Sequence, residues 1–235
     1  MTSAASLAVD EIQRRLRAVP RPPAVLDRRR ERALTDRQRE LLDQMEHVFA
    51  GGFAELTMAG LAARLNCSLR TLYSLAPSRD ELVLAVVDRH LWRVGRTARE
   101  AIGPEVSPLD AVRAYLEAAT VAVSGWSLAF ARDLATVPAA RRLEDGHNRY
   151  LFDVTRTLLE LAAERGDIAD VDTSAVARVL AGLGRLFSQP DVIPTLRSSP
   201  KEAADEVVDL VLRGLRVVPD RRPSEQQLPD HRGAP

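Results

Sequence analysis

The chain has 235 residues, of which 46% are hydrophobic and 28% are charged, and its 33 basic residues balance its 33 acidic ones. This composition is typical of a soluble globular protein of one or two domains, and the zero net charge argues against a binder of polyanions in general. No apolar run approaches the roughly 20 residues that span a bilayer, and the N-terminus lacks the pattern of a signal peptide. The single cysteine cannot form an internal disulfide. We therefore expect a cytoplasmic protein without a membrane segment.

The first 34 residues differ in composition from those that follow. Prolines at positions 20, 22 and 23 interrupt any helix there, and a basic cluster follows them. The cluster consists of Arg28, Arg29, Arg30 and Arg32. We interpret residues 1–34 as a flexible basic arm.

Helix start and stop signals predict three helices between residues 35 and 77. The first begins at a capping box of Thr35 and Gln38 and ends at a pair of glycines. Thr57 and Ser68 can cap the second and third helices, which are short and separated by a turn. The apolar positions expected to form their common core are Leu41, Leu42, Met45, Val48, Phe49, Leu61, Ala62, Leu65 and Leu72.

Further helices are expected up to residue 218, which brings the total to about nine. A second capping box, Ser78 with Glu81, starts a long helix that runs to about Ile102. Prolines at the first helical position mark later starts at 108, 138 and 200. The other expected bounds are about 125–136, 138–165, 173–187 and 200–218. No segment alternates polar and apolar residues as a strand does, so we predict an all-α fold.

The second and third predicted helices form a helix-turn-helix pattern. From Arg64 to Arg79 the chain has three arginines and no acidic residue. The solvent-exposed face of a structural helix, in contrast, usually carries both acidic and basic residues. We therefore interpret the third helix as a recognition helix for the major groove of DNA. Its expected outward residues are Leu69, Arg70, Tyr73 and Ser74, with Ser68 and Thr71 able to donate to phosphates or base edges. The alternative is a set of small helices that pack on one another and have no role in DNA binding.

Residues 35 to about 84 resemble the DNA-binding domain of the TetR family of transcriptional regulators. The resemblance is carried by Phe49, Gly52, Phe53, Thr57, Leu61, Ala62, Ser68, Thr71, Leu72, Tyr73 and Leu82. This chain departs from the family at Leu69 and Arg70, where lysine and glycine are frequent, and at Ala76, where phenylalanine is usual. We expect Leu75 to compensate for the small side chain of Ala76.

The resemblance implies a homodimer whose two recognition helices read a pseudo-palindromic operator in double-stranded DNA. We expect Arg70 to read guanine, because its planar fork can donate to both acceptors of that base. Thr57, Tyr73 and Arg79 would bind phosphates. The expected domains are the arm (1–34), a helix-turn-helix domain (35–82), an effector-binding and dimerisation domain (83–218) and a disordered tail (219–235).

The resemblance also implies that the helices after residue 82 enclose a ligand and form the dimer contact. Apolar helices near 173–187 and 200–218 would pair with their copies in the partner, unless they simply fill the core of the monomer. The residues expected to contact an unknown small-molecule effector are Trp92, Tyr115, Trp126, Phe130, His147 and Tyr150, and ordinary core positions are the alternative for each. The effector would favour one conformation and release a repressor from its operator, with the helix from residue 78 to about 102 carrying the signal.

Other classes of function leave no recognisable pattern. We find no glycine-rich phosphate loop, no paired metal motif and no nucleophile elbow, and we therefore expect neither an enzyme nor a metal or other cofactor. A helical small-molecule-binding or scaffold protein with a degenerate DNA-binding head is the remaining alternative. The basic arm could follow the minor groove or the phosphates of DNA, or it could be a solvated linker, since Asp27 and Glu31 interrupt its charge.

Overall fold

A computed structural model describes residues 11–26, 28–103, 106–123 and 127–216. Over these residues the fold is all-α, as the sequence predicts. The chain is helical from residue 11 to residue 18, which we call α1. The following helices are α2 (Arg28–Ala33), α3 (Asp36–Ala50), α4 (Met58–Arg64), α5 (Leu69–Leu75), α6 (Arg79–Glu100), α7 (Pro108–Val123), α8 (Leu128–Ala135), α9 (Pro138–Glu164), α10 (Thr173–Phe187) and α11 (Pro200–Leu215), with a short 3-10 turn at Ile193–Thr195.

The predicted helices correspond to α3–α11, and side-chain caps explain where several of them begin. Thr35 forms the predicted capping box with Gln38, and Ser199 forms another with Glu202. α8 begins slightly later than the expected position 125, because Ser127 caps it by accepting a hydrogen bond from the third residue of the helix. Caps depend on residues three positions apart, and they can therefore be read from the sequence.

Two clusters of buried apolar side chains form the core of the described residues. The head cluster is built on α3, α4, α5 and the first half of α6, together with side chains of α8 and α9. The body cluster is built on the second half of α6 and on α7, α9, α10 and α11. α6 contributes to both clusters, with Leu82 and Val83 in the head and Val94 and Ala98 in the body. This helix therefore joins the part that carries the helix-turn-helix to the rest of the molecule.

The N-terminal segment differs from the flexible arm that was expected over residues 1–34. Ile12 and Leu16 of α1 are 2% and 1% exposed in the body cluster, and Val19 joins them there. Leu26 is buried in the head cluster instead. These α1 positions follow the i, i+4, i+7 spacing of an amphipathic helix, a signal that the neighbouring prolines obscured. Residues 1–10 and the predicted tail at 219–235 lie outside the described residues.

Candidate nucleic-acid interface

α4 and α5 form a helix-turn-helix. α4 ends at Arg64, and Asn66 in the turn has a left-handed backbone with φ of 47°. Asparagine tolerates this conformation better than most residues, because its short polar side chain can bond locally. Ser68 then caps α5, since its hydroxyl accepts from the Thr71 amide at 3.1 Å. The turn between the two helices therefore combines a left-handed residue with the cap of the next helix.

α5 is held to the head by one side and leaves the other side exposed. Leu72 and Leu75 are buried, at 0% and 3% exposure. The side chains predicted to face outward are all exposed, namely Leu69, Arg70, Tyr73 and Ser74. Leu69 and Tyr73 expose 43% and 54% of their surface, which gives this side both apolar and hydrogen-bonding groups next to a guanidinium. Such a side can contact phosphates, sugars and base edges.

Four of the predicted DNA-contacting hydroxyls also bond within the protein, and those of Ser68 and Thr71 lie 2.8 Å from each other. Ser74 donates to the carbonyl of Thr71 at 2.7 Å and accepts from the side-chain amide of Gln38 at 3.2 Å. The proton of Ser74 is therefore committed. Thr57 caps α4 by accepting from the Gly60 amide at 3.0 Å, a bond that uses only an oxygen lone pair and leaves the Thr57 proton able to donate.

Arg79 holds the loop between α3 and α4. Its guanidinium donates to the carbonyls of Ala54 at 2.9 Å and Leu56 at 3.4 Å. It also pairs with Asp80 at 3.1 Å. The sequence led us to expect Arg79 on a phosphate, whereas the structure uses it to fix the loop that leads into Thr57.

α8 fastens the same loop from the other side. One carboxylate oxygen of Asp133 accepts from the amides of Phe53 at 2.6 Å and Ala54 at 2.8 Å. The ring of Phe130 packs edge-on against Phe53, with 5.7 Å between centroids. Nothing in the sequence identifies Asp133 as a partner of this loop, because it follows Phe53 by 80 positions. The loop is therefore tied to α6 through its carbonyls and to α8 through its amides.

The residues expected to line an effector site do not all lie together. Phe130 belongs to the head cluster, where its ring packs on Phe53, and is thus separated from the others. Tyr115 and Tyr150 are buried in the body cluster at 1% and 6% exposure, and burial raises the pKa of Tyr115 far above its usual value. Trp92 packs edge-on against His147, with 5.6 Å between ring centroids. Trp126 lies outside the described residues.

Asp88 of α6 is a buried carboxylate with partners on two other segments. It is 3% exposed. One oxygen lies 3.1 Å from Nε2 of His147 on α9, and the other accepts from the main-chain amide of Val25 at 2.7 Å. A buried carboxylate requires such partners, because burial without them is costly. Asp88 thus connects α6 to α9 and to the N-terminal segment.

α10 and α11 carry apolar side chains that the monomer leaves exposed. Val179 and Leu186 of α10 are 55% and 46% exposed, and Leu210 of α11 is 68% exposed. Other residues of these two helices fill the body cluster, among them Leu180, Leu183, Val208 and Leu212. The two helices therefore pack inward on the body and present further apolar side chains outward, as an interface between subunits requires.

The described part of the chain offers neither a membrane-spanning helix nor a metal-binding cluster. None of its helices combines the length and apolar character needed to cross a membrane. Within the same residues, no group of His, Cys, Asp and Glu side chains is arranged to hold a metal ion. The helix-turn-helix and the outward side of α10 and α11 are thus the surfaces on which a function can be argued.

Comparisons with known proteins identify the fold. No family model matches the sequence, and no curated protein matches it. A TetR-like transcriptional regulator from Rhodococcus sp. RHA1 is 25% identical with a TM-score of 0.56, over 76% of this chain and 94% of that one. A TetR regulator from Streptomyces coelicolor is 23% identical with a TM-score of 0.53, over 76% and 98%. A TetR regulator from Haloarcula marismortui is 16% identical with a TM-score of 0.65, over 78% and 100%.

Proposed function

Because the chain has the fold of TetR-family transcriptional regulators, we propose that it is a transcriptional regulator that binds double-stranded DNA through α4 and α5. The observation that carries the proposal is the exposed side of α5, which presents Arg70, Tyr73 and Leu69 and has no acidic residue of its own. A leucine, a tyrosine and an arginine exposed side by side on a short helix contribute little to the stability of the free protein. The helix gains contacts when it enters a major groove.

The roles of individual residues follow from their exposure and their existing bonds. Arg70 reads a guanine as a bidentate donor. Thr57 and Tyr73 donate to phosphates, and Ser68, Leu69 and Thr71 lie at the start of α5, the end of a recognition helix that contacts base edges. Arg79 positions the loop before Thr57 in place of the phosphate contact expected from the sequence. Ser74 contributes an acceptor, since its proton is committed.

We propose that the regulator is a homodimer that pairs α10 and α11 with their copies. The exposed Val179, Leu186 and Leu210 support this arrangement, because pairing would remove them from water. Two subunits related by a two-fold axis would place their α5 helices about 34 Å apart, one turn of DNA, on a pseudo-palindromic operator.

A small-molecule effector that releases a repressor is the mode of regulation we propose. α6 is the element that carries the signal, since it contributes to both the head and the body clusters. A ligand that binds one tilt of α6 more tightly than another would change the distance between the two α5 helices. Of the residues expected near the effector, Tyr115, Tyr150, Trp92 and His147 lie in or next to the body, and they remain the candidates.

The arginines that precede α3 lie on a helix, and we propose that they add phosphate contacts at the edge of the operator. Arg29 and Arg32 of α2 are exposed. Replacing both by glutamine should flatten the dependence of DNA affinity on salt, because each lost phosphate contact removes about 0.9 from the logarithmic slope. An unchanged slope would remove α2 from the DNA-binding surface.

A scaffold or small-molecule-binding protein with a degenerate head is the second candidate. It is favoured by the internal bonds of Ser74 and Arg79, which occupy two side chains predicted to contact DNA. Fluorescence anisotropy with the DNA upstream of the protein's own gene separates the two. A regulator shows a steep negative salt dependence and a specificity ratio above roughly 10³, whereas a scaffold shows weak binding that does not depend on sequence.

A further inference from the structure

We propose that residues 11–26 and 28–33 form a clamp that holds the head at a fixed orientation to the body, and that Leu26 in this clamp is a positioning residue for the recognition helix α5. The proposal rests on the proposed function insofar as α5 reads DNA. The physical contact between the clamp, the head and the body does not depend on that function.

One end of the clamp is anchored in the body. Ile12, Leu16 and Val19 are between 1% and 7% exposed within the body cluster. Arg15, on the same helix, pairs with Glu164 at the end of α9, with 2.6 Å between nitrogen and oxygen. Apolar burial and an ion pair therefore fix α1 against the last turn of α9.

The other end reaches the junction between α5 and α6. Leu26 is 9% exposed and belongs to the head cluster. It lines a small cleft together with Leu75 and Ala76 at the end of α5 and with Ala85 of α6. The small side chain of Ala76 leaves room at this junction, and the leucine from the clamp supplies apolar surface there.

Polar contacts attach the clamp to α6 on either side of Leu26 in the chain. The amide of Val25 donates to Asp88 at 2.7 Å, and Asp88 also contacts His147 of α9. Glu31 of α2 pairs with Arg89, the next residue of α6. The clamp therefore contacts α6 at Asp88 and Arg89, which follow the α6 residues of the head cluster, while its first helix is buried in the body cluster.

A loss of Leu26 should loosen α5 without unfolding the body. In the full chain, Leu26→Ala is expected to increase amide hydrogen exchange in α5, at Ala76 and at Ser78, and to leave α10 and α11 unchanged, because those helices lie in the other cluster. Leu143→Ala is the matched control. Leu143 belongs to the same head cluster with 8% exposure but lies on α9, and it does not line the cleft.

DNA binding provides a second readout. Leu26→Ala should weaken binding to the operator about tenfold, the size of the loss caused by one mismatched base pair, and should leave non-specific affinity unchanged. Adding Ala76→Phe to Leu26→Ala should restore most of the operator affinity, because the larger side chain refills the junction from the side of α5. If Leu26→Ala lowers the overall stability too far, Leu26→Val should show the same changes to a smaller extent.

The outcomes distinguish the clamp from the proposed function. The clamp would be overturned if Leu26→Ala left amide hydrogen exchange in α5 unchanged. An equal increase of exchange in α5 for Leu143→Ala would also overturn it. Loss of operator affinity that Ala76→Phe does not restore would overturn the positioning role of Leu26. A wild-type protein that binds no operator would contradict the proposed function. The hydrogen-exchange comparison would still test whether the clamp holds α5, because it does not involve DNA.

Discussion

The side chains of Ser74 and Arg79 were predicted from the sequence to contact DNA. In the structure both form hydrogen bonds within the protein. The hydroxyl of Ser74 is bonded to α3 and α5, and the guanidinium of Arg79 is bonded to the loop before α4. Arg70 and Tyr73, in contrast, are exposed as predicted. Residue type and spacing predicted which side of α5 faces outward, since burial follows helical periodicity. They could not predict the bonds of Ser74 to Gln38 and of Arg79 to the α3–α4 loop, because those partners lie on other elements.

Gly52 is the residue for which the structure permits the sharpest stability prediction. Its φ is 112°, and a Cβ at this position would lie 3.1 Å from the carboxylate of Asp133 and 3.2 Å from the Cβ of Ala129. Gly52→Ala should lower the free energy of unfolding by about 1–3 kcal/mol, because backbone strain and close contact act together. Urea denaturation measures the change.

Gly51→Ala is the matched control for this substitution. A Cβ at Gly51 would meet no atom within 4 Å, and its backbone has φ of −86°. The control should therefore stay within about 0.5 kcal/mol of the wild type. Equal losses for the two variants would show that the contact of Gly52 with α8 is not a constraint.

At the scale of helices and loops, features that depend on neighbouring residues could be predicted from the sequence. Contacts between residues far apart in the sequence could not. The caps of α3, α4, α5 and α11 could be predicted, because each depends on residues three positions apart. The hydrogen bond from Phe53 of the α3–α4 loop to Asp133 joins residues 80 positions apart. The hydrogen bond from Val25 to Asp88 joins residues 63 positions apart. α1 was missed because three prolines after it outweighed its short apolar pattern. The sequence therefore predicted α6 as a connection between head and body, whereas the contacts of Asp133 and of the N-terminal segment became visible only in the structure.

The packing of α3 on α6 should depend on pH through Glu46. Burial alone would raise the pKa of Glu46, but hydrogen bonds from Arg93 and His90 outweigh burial and lower the pKa below its ordinary value of 4.5. The charged carboxylate therefore stabilises the fold above pH 4.5, and this contribution is lost as the pH falls through the lowered pKa.

Glu46→Gln tests this dependence. The variant should be less stable than the wild type at pH 7, and the difference should shrink as the pH is lowered through the acidic range. Urea denaturation at several pH values from neutral to acidic measures it. Glu40→Gln, on the exposed side of α3, should keep the pH dependence of the wild type, and the same flattening in both variants would contradict the role of Glu46.

At the scale of the whole molecule, three structures join the head to the body. They are α6 and α9, which each contribute side chains to both clusters, and the N-terminal clamp. In the proposed regulator, a ligand that shifts the body would act on α4 and α5 through these connections. The exposed apolar side chains of α10 and α11 would join two such units.

The proposed dimer predicts the effect of a charge on α11. Leu210→Glu should raise the dissociation constant of the dimer at least about tenfold, because a carboxylate would be buried in an apolar interface without a partner. Sedimentation velocity at several protein concentrations measures it. Leu128→Glu places the same charge on α8, at a leucine that is 53% exposed, and should leave the dimer intact. A dimer that tolerates both changes would exclude this side of α11 from the interface.

In the proposed regulator, α5 reads the major groove and Arg70 contacts a guanine. Methylation interference at guanine N7, a major-groove atom, probes this contact on an operator taken from the upstream DNA. We expect two groups of interfering guanines about 10 base pairs apart, and the loss of interference at one guanine in each group for Arg70→Ala. Interference that is absent, or that is the same for Arg70→Ala and the wild type at every guanine, would contradict the proposed contact.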